Sequence, residues 1–303
     1  MSLTDDERRA NAEWTARARA LGPNSVLLYS CANAPYQDFV PLFAFSGLAL
    51  DSRFIAEAGV QDAAAFAAEH GPALDLIEQT FPDRFTWRAV PWKRPDGTRL
   101  RPHVVRFVTP PQNRAEYVFI SDVDFVFLNP ELIDQHFRIM GRLGLPYSNS
   151  IRPGTRRMSG LHFTRWDALY PLPDLSGLDL HHANDEENLA AILERKGLPL
   201  QDRVWERPSP GVHISPSRDM NPSDKDGRRI PGWSWQPFAA EHQAFWSRED
   251  AKALRPLLSD RLRAALAQLD EAVAAHLEKL RRRERRAVRE AQPRPRQHRE
   301  GHQ

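Results

Sequence analysis

The chain has 303 residues, of which 41% are hydrophobic, and one cysteine, Cys31. This length allows one large α/β domain or two small ones, and a lone cysteine excludes an intrachain disulfide and favours a reducing compartment. The formal net charge is +2, but residues 281–303 carry nine arginines against three glutamates, so the rest is acidic and nucleic acid is not an expected partner.

Neither a signal peptide nor a membrane-spanning helix is expected from the sequence. The start is polar and lacks the apolar region of a signal peptide, and no run approaches the roughly 18 apolar residues of a membrane-spanning helix. A cytoplasmic protein is therefore expected. Thr4 and Glu7 have the spacing of a capping box, which predicts an N-terminal helix within residues 1–22.

The first buried strand is predicted at residues 25–31. It leads into a turn with Ala32 and Asn33, and Pro35 then stands where a helix begins. This strand–turn–helix connection is where open α/β sheets bind nucleotides, although no Gly-x-Gly-x-x-Gly is present and a dinucleotide site is not expected. Tyr36 either stacks on a base or is an ordinary core or surface aromatic.

Three further strands are predicted at residues 53–57, 85–90 and 104–108, with a helix at 63–80 and an exposed basic loop at 91–101. The strand at 104–108 carries Arg106 within an apolar stretch. A buried arginine needs an anion, which is either a protein carboxylate or a phosphate.

Residues 117–128, YVFISDVDFVFL, form the most apolar stretch near the centre of the chain. They predict one buried strand interrupted by Asp122 and Asp124, which point to the same face if the strand is continuous. Two neighbouring carboxylates are costly to bury, so they need a buried Arg or Lys, protonation of one carboxylate, or a divalent cation such as magnesium or manganese. Alternatively, they cap a turn at the strand's exit.

Candidate polar sites also follow this strand. After a helix at 132–143, Ser159 and Gly160 precede an apolar strand, where the glycine allows either close backbone approach or an ordinary bulge. A helix capped by Asn184 and ended by Gly197 begins with Asp185 and Glu186, residue types that the helix dipole favours in any first turn.

The last third contains a loop, a helix and a tail. Residues 208–219 are predicted to be a loop carrying His213 and Arg218. Leucines at helical spacing over 254–280, with Ser259 as a cap, predict an amphipathic helix that packs on the domain or self-associates. The Arg-rich end is expected to be disordered from residue 291, and either solvated or docked to anionic lipid at the inner face of the membrane.

The order of these features resembles the nucleotide-sugar-dependent glycosyltransferases of the GT-A fold. It is most similar to the retaining, family-eight group of bacterial galactosyl- and glucosyltransferases of surface polysaccharide pathways, over residues 25–218. The resemblance implies a Rossmann-like GT-A domain, placed at 23–245, with a mixed central sheet flanked by helices. The sequence patterns described above add a C-terminal amphipathic helix at 246–290 and a disordered basic tail at 291–303.

The resemblance also implies roles for individual residues. Asp122, Asp124 and His213 would bind Mn²⁺ or Mg²⁺, which the diphosphate of the nucleotide-sugar would also contact. The nucleotide or sugar would be held by residues spread along the chain: Ala32, Asn33, Tyr36, Arg106, Ser159, Gly160 and Arg218. Asp185 and Glu186 match an Asp-Gln pair that touches the donor sugar, with Glu replacing Gln, and Met158 replaces the Asn of an Asn-Ser-Gly pattern.

The expected reaction moves a hexose from a nucleotide-diphosphate sugar to a glycan or glycolipid hydroxyl. In a retaining enzyme the leaving phosphate takes the acceptor's proton, whereas in an inverting enzyme Asp185 or Glu186 is the candidate base. Two other hypotheses are a sugar nucleotidyltransferase, which lacks its expected Gly-rich loop here, and a non-catalytic protein that binds anions or polysaccharide through its basic tail.

Overall fold

The computed structural model describes residues 22–94, 96–150, 157–200, 208–214 and 235–291. The predicted N-terminal helix and the end of the basic tail lie outside these ranges, as does Arg218. The described chain is a single Rossmann-like α/β domain with a mixed six-stranded sheet flanked by helices, which confirms the predicted fold class.

Six strands form the central sheet in the spatial order β3-β2-β1-β4-β7-β6, and two more form a separate ribbon, β5-β8. The strands are β1 Val26–Ala32, β2 Phe54–Val60, β3 Phe85–Ala89, β4 Tyr117–Ile120, β5 Phe125–Phe127, β6 Tyr147–Ser148, β7 His162–Arg165 and β8 Gly211–His213. The first four in the spatial order are parallel, and β7 and β6 run antiparallel to their neighbours.

The helices cover both faces of this sheet. They are α1 Val40–Leu50, α2 Ala63–Thr80, α3 Val105–Val108, α4 Leu132–Leu143, α5 Trp166–Leu169, α6 Asp185–Arg195, α7 Ala239–Ser247, α8 Glu249–Leu254 and α9 Asp260–Ala291, with 3₁₀ helices at Ala34–Phe39, Gln236–Phe238 and Arg255–Leu257. Asp62 caps α2 by accepting from the amides of residues 64 and 65, and Asn184 caps α6 within a capping box.

Strand β1 lies at the centre and divides the core into two layers. Successive residues of a strand point to opposite faces, so Val26 and Leu28 belong to one apolar cluster and Leu27 and Tyr29 to the other. All seven residues of β1 are buried, as expected of a parallel strand that is covered on both faces.

The order in which strands are added to the sheet reverses between β1 and β4. From β1 it proceeds outward through β2 and β3, and it then returns to pair β4 with the other side of β1. Ligands of open α/β sheets bind at the carboxyl ends of the two strands that flank such a switch point. Here those ends lead into Ala32 and Asn33 after β1, and into Asp122 and Asp124 after β4.

Three predicted elements are wrong. Residues 104–108 form no strand, because α3 includes Arg106. The single strand over 117–128 is two strands, β4 and β5, with both aspartates in the turn between them. The predicted loop 208–219 contains β8, which places His213 on a strand rather than on a loop.

The C-terminal helix packs on the domain, the first of the two predicted alternatives. Leu262, Leu266, Leu269 and Val273 are buried in the larger apolar cluster. The observed helix α9 begins at Asp260, after the predicted cap Ser259, and continues to Ala291. The arginines at 281–286 therefore lie on a helix with exposed side chains, and no described helix is both long and apolar enough to cross a bilayer.

Candidate functional site

The acidic turn after β4 is held against the central strand. The amide of Ser121 donates to the Tyr29 carbonyl at 3.0 Å, and the Ser30 hydroxyl donates to the Ser121 carbonyl at 2.8 Å. These hydrogen bonds fix the start of the turn that carries Asp122 and Asp124. These backbone contacts therefore place the two aspartates at the switch point. Contrary to the prediction of one continuous strand, the aspartates do not share the face of one strand, because they lie in a turn.

His213 reaches this turn through the β5-β8 ribbon. Phe125 is opposite His213 in the antiparallel register, and the amide of Ile214 donates to the Asp124 carbonyl at 2.9 Å. The imidazole Nε2 lies 3.1 Å from Asp124 Oδ1, and both side chains are buried. Strand pairing thus joins two residues that are far apart in sequence.

The predicted metal ligands come together. One donor atom from each of Asp122, Asp124 and His213 lies within 4.8 Å of the other two. Two carboxylate oxygens and an imidazole nitrogen suit a divalent ion such as Mn²⁺ or Mg²⁺, with imidazole favouring the former. By its donor chemistry, the set therefore fits the cation that the sequence led us to expect.

The buried side chain of Arg106 also offsets part of the negative charge of this site. Its side chain is buried, with Nη1 2.8 Å from Asp122 Oδ1 and Nη2 2.8 Å from Asp185 Oδ2. Of the two predicted anions for Arg106, a carboxylate is therefore present, and a contact with a nucleotide stays a prediction. Burial acts to lower the pKa of Arg106, but Asp122, Asp185 and Asp124 together outweigh it and raise that pKa.

A single guanidinium does not balance the acids around it. Three carboxylates act on Arg106 through space, Asp122 and Asp185 by direct contact and Asp124 from farther away. When ionised, they exceed the charge of Arg106 by two. Such an excess is unfavourable unless it is offset by His213 beside Asp124, by solvent at the partly exposed Asp122, or by a bound divalent cation.

Gly160 leaves the space in which Arg106 and Asp185 meet. A Cβ at this position would lie 2.6 Å from Arg106 Nη2 and 3.3 Å from Asp185 Oδ2, and the Gly160 carbonyl is 3.4 Å from Nη2. The backbone of Gly160 therefore approaches another group closely, as predicted, and that group is the side chain of Arg106. Ser159 is buried next to it, and its backbone is held on both sides by the side chain of Asn149.

Asp185 and Glu186 occupy the first turn of α6, as predicted. Both residues are largely buried, and the Glu186 amide donates to the Asn184 side chain at 3.0 Å. Asp185 contacts Arg106, so its position is explained by more than the helix dipole. A sugar contact for either residue stays a prediction.

Ala32, Asn33 and Tyr36 line the connection after β1. Ala32 ends the strand, Asn33 precedes the 3₁₀ helix Ala34–Phe39, and the Asn33 carbonyl accepts from the Tyr36 amide at 2.8 Å. The Tyr36 ring is half-buried and lies 5.7 Å from the ring of Phe39. This contact leaves both predicted roles of Tyr36, base stacking and packing, open to experiment.

His103 is a neighbour of the site that sequence reasoning missed. Its Nε2 lies 3.9 Å from Asp185 Oδ1, and 38% of its side chain is exposed. Burial lowers the pKa of His103, with Arg106 and Arg101 acting in the same direction and Asp185 and Asp122 opposing it. The histidine followed a basic, turn-rich segment, which gave no local signal for a site.

Comparison of the chain with protein-family models, with curated proteins and with solved structures gives no match. The residues around Asp122, Asp124 and His213 are therefore the basis on which a function can be proposed.

Proposed function

We propose that this protein is a metal-dependent hexosyltransferase. In this proposal it moves a hexose from a nucleotide-diphosphate sugar, a UDP-sugar in the first instance, to a hydroxyl of a surface polysaccharide or glycolipid, with retention of configuration. The main support for this proposal is that the side chains of Asp122, Asp124 and His213 lie close together at the β1-β4 switch point.

The location favours a nucleotide ligand as well as a cation. The turn after β1 and the turn after β4 leave the same edge of the sheet, since their strands are paired in parallel. A diphosphate bound between these turns would be close to the acids on one side and to Asn33 and Tyr36 on the other. Open α/β sheets bind their ligands in this crevice.

Asp122, Asp124 and His213 would hold Mn²⁺, and the bound ion would supply positive charge to the diphosphate as it leaves. Arg106 positions the acids by bridging Asp122 and Asp185. Asp185 and Glu186 would orient the donor sugar from the start of α6. If configuration is inverted, either acid could instead accept the proton of the attacking hydroxyl.

The test is a panel of nucleotide-sugars incubated with the protein and Mn²⁺, with release of the nucleoside diphosphate as the readout. Slow hydrolysis of one donor is expected with Mn²⁺ and not with a chelator. Asp124→Ala should abolish it, whereas Asp167→Ala, which removes an exposed carboxylate paired with Arg165, should not. No Mn²⁺-dependent hydrolysis of any donor would favour the non-catalytic alternative.

We also propose that the exposed end of α9 contacts anionic lipid. Between residues 278 and 288 it carries six basic and two acidic side chains. Each Lys or Arg near an anionic membrane surface contributes about 1 kcal/mol of attraction. Such peripheral contact at the inner face of the membrane would bring the protein close to a glycolipid acceptor.

A further inference from the structure

A second cluster of metal-ligating side chains lies apart from the acidic turn. Asp38, in the 3₁₀ helix Ala34–Phe39, faces Glu69 and His70 of α2. One donor atom from each residue lies within 4.8 Å of the other two. The proposed transferase activity makes no use of these residues.

His70 provides the independent sign that this cluster binds something. The residue is only 4% exposed, and among the residues that the structure describes its Nε2 has no hydrogen-bond partner. That nitrogen lies 3.9 Å from Asp38 Oδ1 and 3.9 Å from Glu69 Oε2. A buried polar atom without a partner is uncommon in folded proteins and needs an explanation, such as a bound ion or water.

The distances suit an ion more than a direct bond. They are too long for a hydrogen bond between Nε2 and either carboxylate. Two ligands on one tetrahedral zinc ion are about 3.4 Å apart, given zinc–ligand distances of about 2.1 Å. Each carboxylate would therefore move about half an ångström closer to Nε2, and the Glu69 side chain, which is 63% exposed, is free of the core and can make this shift.

The remaining contacts of the cluster fix the positions of the His70 and Asp38 side chains. The Phe66 ring packs against the imidazole with centroids 4.9 Å apart, and burial lowers the pKa of His70, although Glu69 and Asp38 oppose this shift. Arg261 takes the other oxygen of Asp38 at 3.3 Å, which leaves Oδ1 directed toward His70.

We propose that Asp38, Glu69 and His70 form a zinc site. One imidazole and two carboxylates are a ligand set that zinc accepts, and the exposed side at Glu69 leaves a fourth position for water. The ion would join α2 to the 3₁₀ helix that also carries Tyr36. It would therefore stiffen the connection after β1, whatever reaction the protein catalyses.

The experiment measures zinc bound per chain by equilibrium dialysis of the metal-free full-length protein. The parent is a variant in which the exposed His181 and His182 and the C-terminal His298 and His302 are alanine, so that these histidines do not bind zinc. It also carries Asp124→Ala, which removes the first site. We expect this parent to retain one equivalent of zinc.

Glu69→Gln is the principal test variant, because an exposed side chain can be changed without disturbing the fold. It should weaken zinc binding by more than the roughly tenfold typical of an outer-shell partner. It should also remove the rise in melting temperature that zinc gives the parent. His70→Asn should do the same, and Asp75→Asn, an exposed acid on the same helix, should leave both measurements unchanged.

Two results would overturn the site: a parent that binds no zinc, or a Glu69→Gln variant that binds it as the parent does. In either case the space beside His70 Nε2 holds a water molecule or a proton instead of a metal ion. Neither result bears on the transferase proposal, because Asp124 is already absent from the parent.

Discussion

Replacing Arg106 by methionine separates two explanations of the acidic turn. If Asp122 and Asp185 serve only as partners of Arg106, the variant is destabilised and a metal ion does not help it. If Asp122 and Asp124 are metal ligands, removal of the competing guanidinium frees Asp122, and Mn²⁺ should bind more tightly. The same substitution therefore gives opposite responses to metal.

The size of the effect follows from burial. Arg106 is 5% exposed, and its removal leaves Asp122 and Asp185 without their 2.8 Å partner. Breaking a buried ion pair in this way costs about 3–5 kcal/mol. An ion present at about a hundred times its dissociation constant returns about 2.7 kcal/mol, so Mn²⁺ should restore a large part of the loss.

The assay is urea unfolding of the wild type and the variant, each with a chelator and with Mn²⁺. Arg88→Met is the matched control, because Arg88 Nε lies 2.9 Å from Glu57, which is 1% exposed and outside the metal-ligand group. No Mn²⁺ stabilisation of either variant would refute the metal interpretation of Asp122 and Asp124, whereas equal stabilisation of both would refute only the competition between Arg106 and the ion.

Further expected outcomes concern packing, pH and the C-terminal helix. Gly160→Ala should lower the free energy of unfolding by about 1–3 kcal/mol in urea titrations, because the new Cβ displaces the guanidinium 2.6 Å away; Gly141→Ala, with no atom within 4 Å of its Cβ, should not destabilise. Burial lowers the pKa of His162 from 6.5 to about 3, so the unfolded state binds the extra proton between these values. Stability should consequently decrease by about 1.4 kcal/mol for each unit by which the pH is lowered through that window, and His162→Asn should flatten this part of a pH series of urea midpoints. Deletion of residues 281–303 should abolish binding to vesicles of anionic lipid, measured by sedimentation, and unchanged binding would dismiss the lipid contact.

Elements with strong local signals were predictable from the sequence. Helix α2 is observed at the predicted residues 63–80, because Asp62 supplies a cap and the apolar residues repeat at helical spacing. Helix α6 likewise lies between its predicted cap, Asn184, and Gly197, whose φ is +71°. In both cases the residues that start or stop the helix are adjacent to it in sequence.

Errors occurred where tertiary contacts decide the local structure. Residues 104–108 are rich in β-branched side chains, yet α3 forms there and Arg106 reaches acids at positions 122 and 185. β-propensity depends on having a neighbouring strand to pair with. The break between β4 and β5 has a similar cause, since β5 leaves the sheet to pair with β8.

The candidate site was partly predictable for the same reason. Asp122, Asp124 and His213 were identified by residue type and order, while their meeting depends on a β5-β8 pairing that no local pattern reveals. The cluster of Asp38, Glu69 and His70 gave no sequence signal, because Asp38 lies in a different helix from Glu69 and His70.

The inner stripe of α9 also sets the direction of its arginines. Successive helical residues are about 100° apart around the axis, so Leu277 continues the side that packs on the domain. Arg282, Arg285 and Arg286 fall within about 60° of the opposite side, whereas Arg281 and Arg283 lie at its flanks. Because the first half of the helix packs on the domain, the helix cannot rotate about its own axis. An anionic membrane surface that binds these arginines would therefore hold the whole domain in one orientation. The edge of the sheet that carries Asp122 would then lie at a fixed angle to that surface.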